Sequence, residues 1–298
     1  MIEIIFQNKE DAGKLYNDFQ NVSASVHVVF LQREGKFCLQ LNFSDPLMLK
    51  KIKAAFVVFI MKEKVDLWLR DILATSFFYT DEEEQQQILQ IVHSILEGNR
   101  QELAVFLDEV HAEALLKDLI DEFITYEVSF SFESFVTFRL RPFMEQLLHF
   151  VEISIDEFKM EQEYQVFIQT LREYLQKRTS HFHHLHVVMD EDILFYNEEF
   201  IEMKRHELIR MIDRRLLINH PVYVDSVSIA PLLSIAPLQI YLYTNDPEQP
   251  LVRTIQNIFE ERLILFTLDD FTQKLIRYSE KKKSDSALEM NQINDYNT

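Results

Sequence analysis

Apolar positions define four blocks along the chain. The first is a strand, a helix and a hairpin within residues 1–45. Ile2–Phe6 is a short apolar strand. Asn8 can cap a helix with Asp11 three residues on, and Leu15, Tyr16 and Phe19 supply its apolar side. Val26–Leu31 and Lys36–Phe43 flank Arg33, Glu34 and Gly35, a hairpin turn. The second block, 46–179, reads as helix throughout. Asp45 before Pro46 is an N-cap with proline in the first turn. Thr80 and Glu83 have capping-box spacing ahead of the stripe Ile88, Ile91, Val92 and Ile95, and Gly98 suits the position just past its end. Asn99 with Glu102 restarts a helix carrying Leu103, Phe106, Leu107 and Val110. From Ser131 to Leu175 apolar residues recur every three or four positions, with Pro142 as a kink or break.

After Ser180 the period changes to two. His184–Met189 and Ile193–Tyr196 flank Asp190, Glu191 and Asp192, a hairpin signal, and Asn197 can cap a helix toward Leu217. The twin Ser-Ile-Ala-Pro-Leu runs at Ser228 and Ser234 read as a short helix or turn. Gln239–Thr244, Leu251–Arg262 and Leu263–Leu268 read as strand, helix and strand, which implies parallel pairing through a right-handed crossover. This third block spans 180–279. The last, 280–298, is lysine, serine, aspartate and asparagine with little to bury, and reads as a disordered tail. The class expected is α+β: an N-terminal β-α-β-β unit, a helix-rich central body and a C-terminal mixed α/β sheet domain.

Composition narrows the function more than it defines it. The net charge of −19 repels phosphate backbones and anionic lipid heads, so neither nucleic acid nor a membrane is expected as a partner. The longest apolar run, Ala54–Met61, is far short of the ~20 residues a spanning helix needs, and the N-terminal residues lack the cationic start of a secretory signal. A cytoplasmic protein is expected. The single cysteine, Cys38, lies in an alternating apolar segment and reads as a small buried hydrophobe. Only 3 glycines occur, at 13, 35 and 98, where average usage gives roughly twenty. A phosphate-binding loop needs several close together so that backbone amides can approach the ligand. No cofactor is expected.

Four imidazoles fall within six residues: His181, His183, His184 and His186. On a strand His181 and His183 share one face, His184 and His186 the other. Each face offers at most two metal ligands, and a third must come from elsewhere. A metal-dependent enzyme built on this strand is the alternative reading. The adjacent acids Asp190 to Asp192 read as a solvated turn, and those at Asp81 to Glu84 as a complement to a helix dipole. Arg139 and Arg141 sit amid apolar residues; one of them paired with an acid such as Glu161 or Glu163 would make a structural or partner contact. No nucleophile elbow or serine–histidine–aspartate set stands out, so no catalytic residue is assigned.

The run Ser134 to Arg141, Ser-Phe-Val-Thr-Phe-Arg-Leu-Arg, with Glu161 to Tyr164 and Phe167-Ile168 after it, resembles the central signature of the YtxC-like sporulation proteins of endospore-forming bacteria. Ser134 stands where that signature has glycine. Leu232 to Pro237 and the strand after it, and the start Ile2 to Tyr16, are similar too, so the resemblance covers nearly the whole chain. It implies a cytoplasmic sporulation-associated protein acting through contacts with a protein partner. It carries no catalytic residue or cofactor.

Overall fold

Alternation and turn chemistry decide the first sheet. The computed structural model describes residues 1–22, 26–100, 103, 112–180, 182–213 and 227–295, with side chains described to Lys283. Strand β1 (Ile2–Phe6) leads to helix α1 (Lys9–Val22), then β2 (His27–Arg33) and β3 (Lys36–Asn42). Asn8 caps α1, its Oδ1 accepting from Glu10 N at 2.7 Å. Glu34 and Gly35 take φ of 49° and 79°, the doubly positive turn that matches the twist of a hairpin. β2 pairs antiparallel with β3, and β3 with β1.

The segment after Pro46 is not helix throughout. Val128–Ser131 forms strand β4, which pairs parallel with β1, Ile2 opposite Val128 and Ile4 opposite Phe130. The sheet order is β2-β3-β1-β4. Val128 and Phe130 alternate with Ser129 and Ser131, but four residues are too few to outvote the helical period on either side.

Helix α2 (Pro46–Phe59) continues through a π-helical turn (Ile60–Lys64) into α3 (Val65–Ser76); α4 (Glu82–Leu96), α5 (Ala112–Phe123), α6 (Phe132–Phe138) and α7 (Arg141–Gln176) follow. Asp45 caps α2 through Leu47 N. The cap of α4 is Asp81 rather than Thr80, its Oδ1 accepting from Glu83 N and Glu84 N. The helix closes on Gly98, with Gly98 N to Ile95 O and Asn99 N to Ser94 O, the paired bonds of a Schellman ending. Phe106, Leu107 and Val110 of the helix expected after Asn99 lie outside the described residues. Pro142 falls in the first turn of α7, so it starts that helix instead of kinking it.

Contacts group the chain into two compact units, Met1–Glu161 and Gln162–Thr298. The first buries β1, α1 and the helices after Pro46 in one core. Its centre is phenylalanine: Phe6 stacks on Phe132 at 5.0 Å, Phe135 packs on Phe123 at 5.0 Å, and Phe56 touches Phe59, Phe130, Phe132 and Phe135. That core accounts for much of the chain's phenylalanine.

The second unit holds β5 (His184–Met189), β6 (Ile193–Tyr196), α8 (Arg205–Met211), α9 (Ile229–Ile235), β7 (Gln239–Tyr243), α10 (Pro250–Phe259), β8 (Leu263–Phe266) and α11 (Leu268–Asp295). Its sheet runs β6-β5-β7-β8, with β5, β7 and β8 parallel and β6 antiparallel at the edge. Asn197 does not begin a long helix. It closes a tight turn, accepting from Glu199 N and Ile201 N, and the helix starts at Arg205; positions toward Leu217 lie outside the described residues. The first Ser-Ile-Ala-Pro-Leu run starts α9, and the second ends it at Ala236, φ 49°. Helix α11 runs to Asp295, into the stretch expected as a tail from residue 280. Its lysine, glutamate, alanine and leucine content favours helix even where it offers little to bury. No helix among the described residues is long and apolar enough to cross a membrane.

Candidate functional site

The pleat gives the second sheet two unlike faces. Leu185, Val187, Ile240, Leu242 and Phe195 point into the aliphatic core. The other face carries His184, His186, Tyr241, Tyr243 and Phe266. His186 is 3% exposed and Tyr243 is fully buried. Phe200 lies on the His186 ring, centroids 4.1 Å apart and planes 25° apart, and holds a φ of 56°, a conformation that costs an aromatic residue about 1–2 kcal/mol. From α11, Phe271 packs on Tyr243 and Tyr278 on Phe200.

Three polar groups thread this face. Lys274 Nζ sits 3.1 Å from the Phe266 ring centroid and close to Tyr241 and Tyr243, and donates to Tyr243 Oη at 3.5 Å. That hydroxyl lies 2.9 Å from His186 Nδ1. With Lys274 donating to Oη, the tyrosine proton is free to go to Nδ1, which puts the ring proton on Nε2; Nε2 is buried without a partner among the described residues. Burial lowers the His186 pKa from 6.5 to about 4, with the nearby charges of His184 and Lys274 adding to it. Burial also lowers Lys274 and raises Tyr243. At neutral pH the group is one ammonium over aromatic rings beside a neutral histidine–tyrosine pair.

His184 joins His186 on this face, rings 5.4 Å apart. His183 is exposed, and its backbone N–H donates to Glu198. His181 lies outside the described residues. Among the described residues no three of histidine, cysteine, aspartate and glutamate come together as a metal site. Asp190, Glu191 and Asp192 are exposed in their turn.

The arginines fare differently. Arg139 is exposed, its guanidinium 5.3 Å from the Phe123 ring centroid. Arg141 pairs with Glu145 at 2.9 Å. Glu161 does not serve either of them: it receives Arg100, which also binds Glu157 at 2.7 Å. Glu163 is exposed. The reason is periodicity: Glu145 is one helical turn from Arg141, whereas Glu161 lies five turns along α7. Arg139 instead edges a pocket of about 400 Å³ with Leu119, Glu122, Phe123, Phe138 and Pro142. Phe138 is 76% exposed there.

The profile of the YtxC-like family matches residues 50–264. The chain belongs to the YtxC-like family. It is 35% identical over 274 residues to the uncharacterized protein YtxC of Bacillus subtilis (strain 168), covering 91% of this chain and 96% of that protein. No solved structure matches it significantly. The span matched by the YtxC-like profile contains the Phe138–Arg139 pocket and the His184–Met189 strand, and stops short of Lys274.

Two features of this YtxC-like chain have no local signal in its sequence. Lys64, in the π-helical turn, pairs with Asp11 of α1 at 2.8 Å, both side chains 12% exposed. Arg178 pairs with Asp213 at 2.7 Å. Each pair joins elements far apart in sequence, so only the fold brings them together.

Proposed function

We propose that this protein is a cytoplasmic, non-catalytic accessory factor of spore formation that holds a protein partner at the Phe138–Arg139 pocket. The observation that carries the reading is the pairing of a 76% exposed Phe138 with a guanidinium resting on Phe123 at the mouth of a cavity. Aromatic residues and arginine supply most contact energy at protein interfaces because both bury large area with few polar losses. Arg139 has no carboxylate partner among the described residues, so the pocket suits a segment with an apolar side chain next to an acid. Family membership and the match to a protein of an endospore former support the cellular setting.

The test is genetic and quantitative. A clean deletion in the spore-forming host is scored for heat-resistant spores and for vegetative growth, then complemented with wild type, Phe138→Ala and Arg139→Glu. The expected result is reduced spore yield with normal growth, restored by wild type and poorly by either variant at equal protein level. Full rescue by both variants would remove the pocket from the account. Impaired growth with normal spores would remove the sporulation role.

A further inference from the structure

The C-terminal unit holds a second cavity, of about 360 Å³, lined among the described residues by Arg178, Phe182, Met211, Ser234 and Ile235. Its size falls in the lower part of the about 300–1,000 Å³ typical of small-molecule pockets. Arg178 is gripped along one edge. Its Nε donates to Tyr174 Oη at 2.6 Å, Nη2 donates to Asp213 Oδ2 at 2.7 Å and also to Tyr174 Oη, and Tyr174 Oη donates to the same Asp213 oxygen at 3.1 Å. The guanidinium also lies 4.8 Å from the Tyr174 ring centroid. Two N–H groups on Nη1 are left without an acceptor among the described residues.

Ser234, 4% exposed, adds a second donor. Its Oγ accepts from Asp213 N at 3.0 Å, which leaves the hydroxyl proton without an acceptor among the described residues. Among the described residues the cavity thus offers two donor groups held by one aspartate, the Nη1 N–H pair and the Ser234 hydroxyl, and its other lining residues are Phe182, Met211 and Ile235.

We propose that this cavity is a binding site for a monocarboxylate with a short aliphatic tail. The carboxylate takes Arg178 Nη1 and the Ser234 hydroxyl, and the tail lies on the apolar walls. Charge selects the monoanion. Asp213 pairs with Arg178, so among the described residues a phosphate dianion would meet no unpaired cation, in a chain of net charge −19, with one uncommitted guanidinium nitrogen to meet it. The Nη1 N–H pair and the Ser234 hydroxyl, free among the described residues, can meet the two oxygens of one carboxylate.

The test uses the full chain with sodium hexanoate, 1-hexanol and inorganic phosphate at constant ionic strength, read by thermal unfolding and by calorimetric titration. Hexanoate at saturation should raise Tm by about 2–4 °C, with hexanol and phosphate giving little. Arg178→Gln should weaken hexanoate at least ~10-fold, the loss of one charge-assisted contact. Because that change also disturbs Asp213, Met211→Trp is the second variant. Met211 is 43% exposed at the cavity wall, so the larger ring should fill the space, leave the ligand-free Tm near wild type and abolish the hexanoate shift. No shift with hexanoate, an equal shift with hexanol, a larger one with phosphate, or a hexanoate shift that survives both substitutions would each overturn the assignment.

Discussion

Lowering the pH should destabilise the C-terminal unit through His186 in a way that can be isolated. The imidazole is neutral in the fold because burial holds its pKa near 4 against 6.5, while in the unfolded chain it takes a proton as pH drops below 6.5. The unfolded state therefore binds more protons between those values, and stability falls as pH falls through that window, levelling off below about 4. Integrating the one-site linkage gives a loss of about 2 kcal/mol at pH 5 and about 3 kcal/mol at pH 4 relative to pH 7. Carboxylates titrate in the same range, so the measurement is a difference. Urea unfolding of wild type and His186→Phe is followed by circular dichroism at several pH values. Phenylalanine keeps the stack on Phe200 and removes the titrating group. The single tryptophan, Trp68, lies in the first unit, so its fluorescence reads a transition that His186 should leave alone if the units unfold separately. The wild-type midpoint should drop more steeply than the variant's from pH 6.5 to 4. Parallel curves would refute the reasoning, since a histidine free to protonate in place contributes no such slope.

Other substitutions test the packing. Lys64→Met should cost about 2–4 kcal/mol by stranding the Asp11 carboxylate, and Lys64→Met with Asp11→Leu should recover much of it; chemical denaturation of the three variants decides, and additive losses would defeat the idea. Phe78 combines a φ of 62° with 82% exposure, so Phe78→Gly should relieve strain and raise Tm by about 2–4 °C, a drop in Tm being the contrary result. The Ser154 hydroxyl is fully buried without a partner among the described residues; Ser154→Ala should gain up to about 1 kcal/mol in urea unfolding, and a loss would show that the hydroxyl is bonded in the fold. Arg139→Met should stay within about 0.5 kcal/mol of wild type in the same assay, because the guanidinium is exposed; a cost above 2 kcal/mol would mean that it is structural.

What could be read in advance was whatever depends on neighbours in sequence. Period two over His184–Met189 set Leu185 and Val187 against His184 and His186, and the sheet keeps that division. Asp45 with Pro46 and Gly98 with its φ of 75° act through bonds within a turn or two. The misses are of two kinds. Asp81 displaced Thr80 as cap because both precede the same stripe, and only the backbone decides which one has extended φ and ψ. β4, the Lys64–Asp11 pair and the Arg178–Asp213 pair depend on partners 35 to 126 positions away, for which a single sequence carries no local cue.

Helix α11 shows how a charged residue can hold the middle of a contact stripe. Its contact stripe on the sheet is Phe271, Lys274 and Tyr278, a helical spacing in which the middle member is charged. An ammonium group normally reads as solvent-facing, yet here its stem and head lie on Phe266, Tyr241 and Tyr243, where ring quadrupoles replace part of its hydration. The same lysine gives the aromatic face a directional constraint that the aliphatic face lacks. Leu185 and Val187 would tolerate a helix shifted by a turn, since apolar contact is not directional. The line from Lys274 Nζ through Tyr243 Oη to His186 Nδ1 needs Lys274 at this position over the sheet. A shifted helix would take the ammonium off the rings and off Tyr243 Oη, a cost of about 1–3 kcal/mol, while the Tyr243–His186 bond, made within the sheet, would remain. Lys274, held by the rings and by a Tyr243 hydroxyl that His186 orients, thus favours one seating of the C-terminal helix over a shifted one.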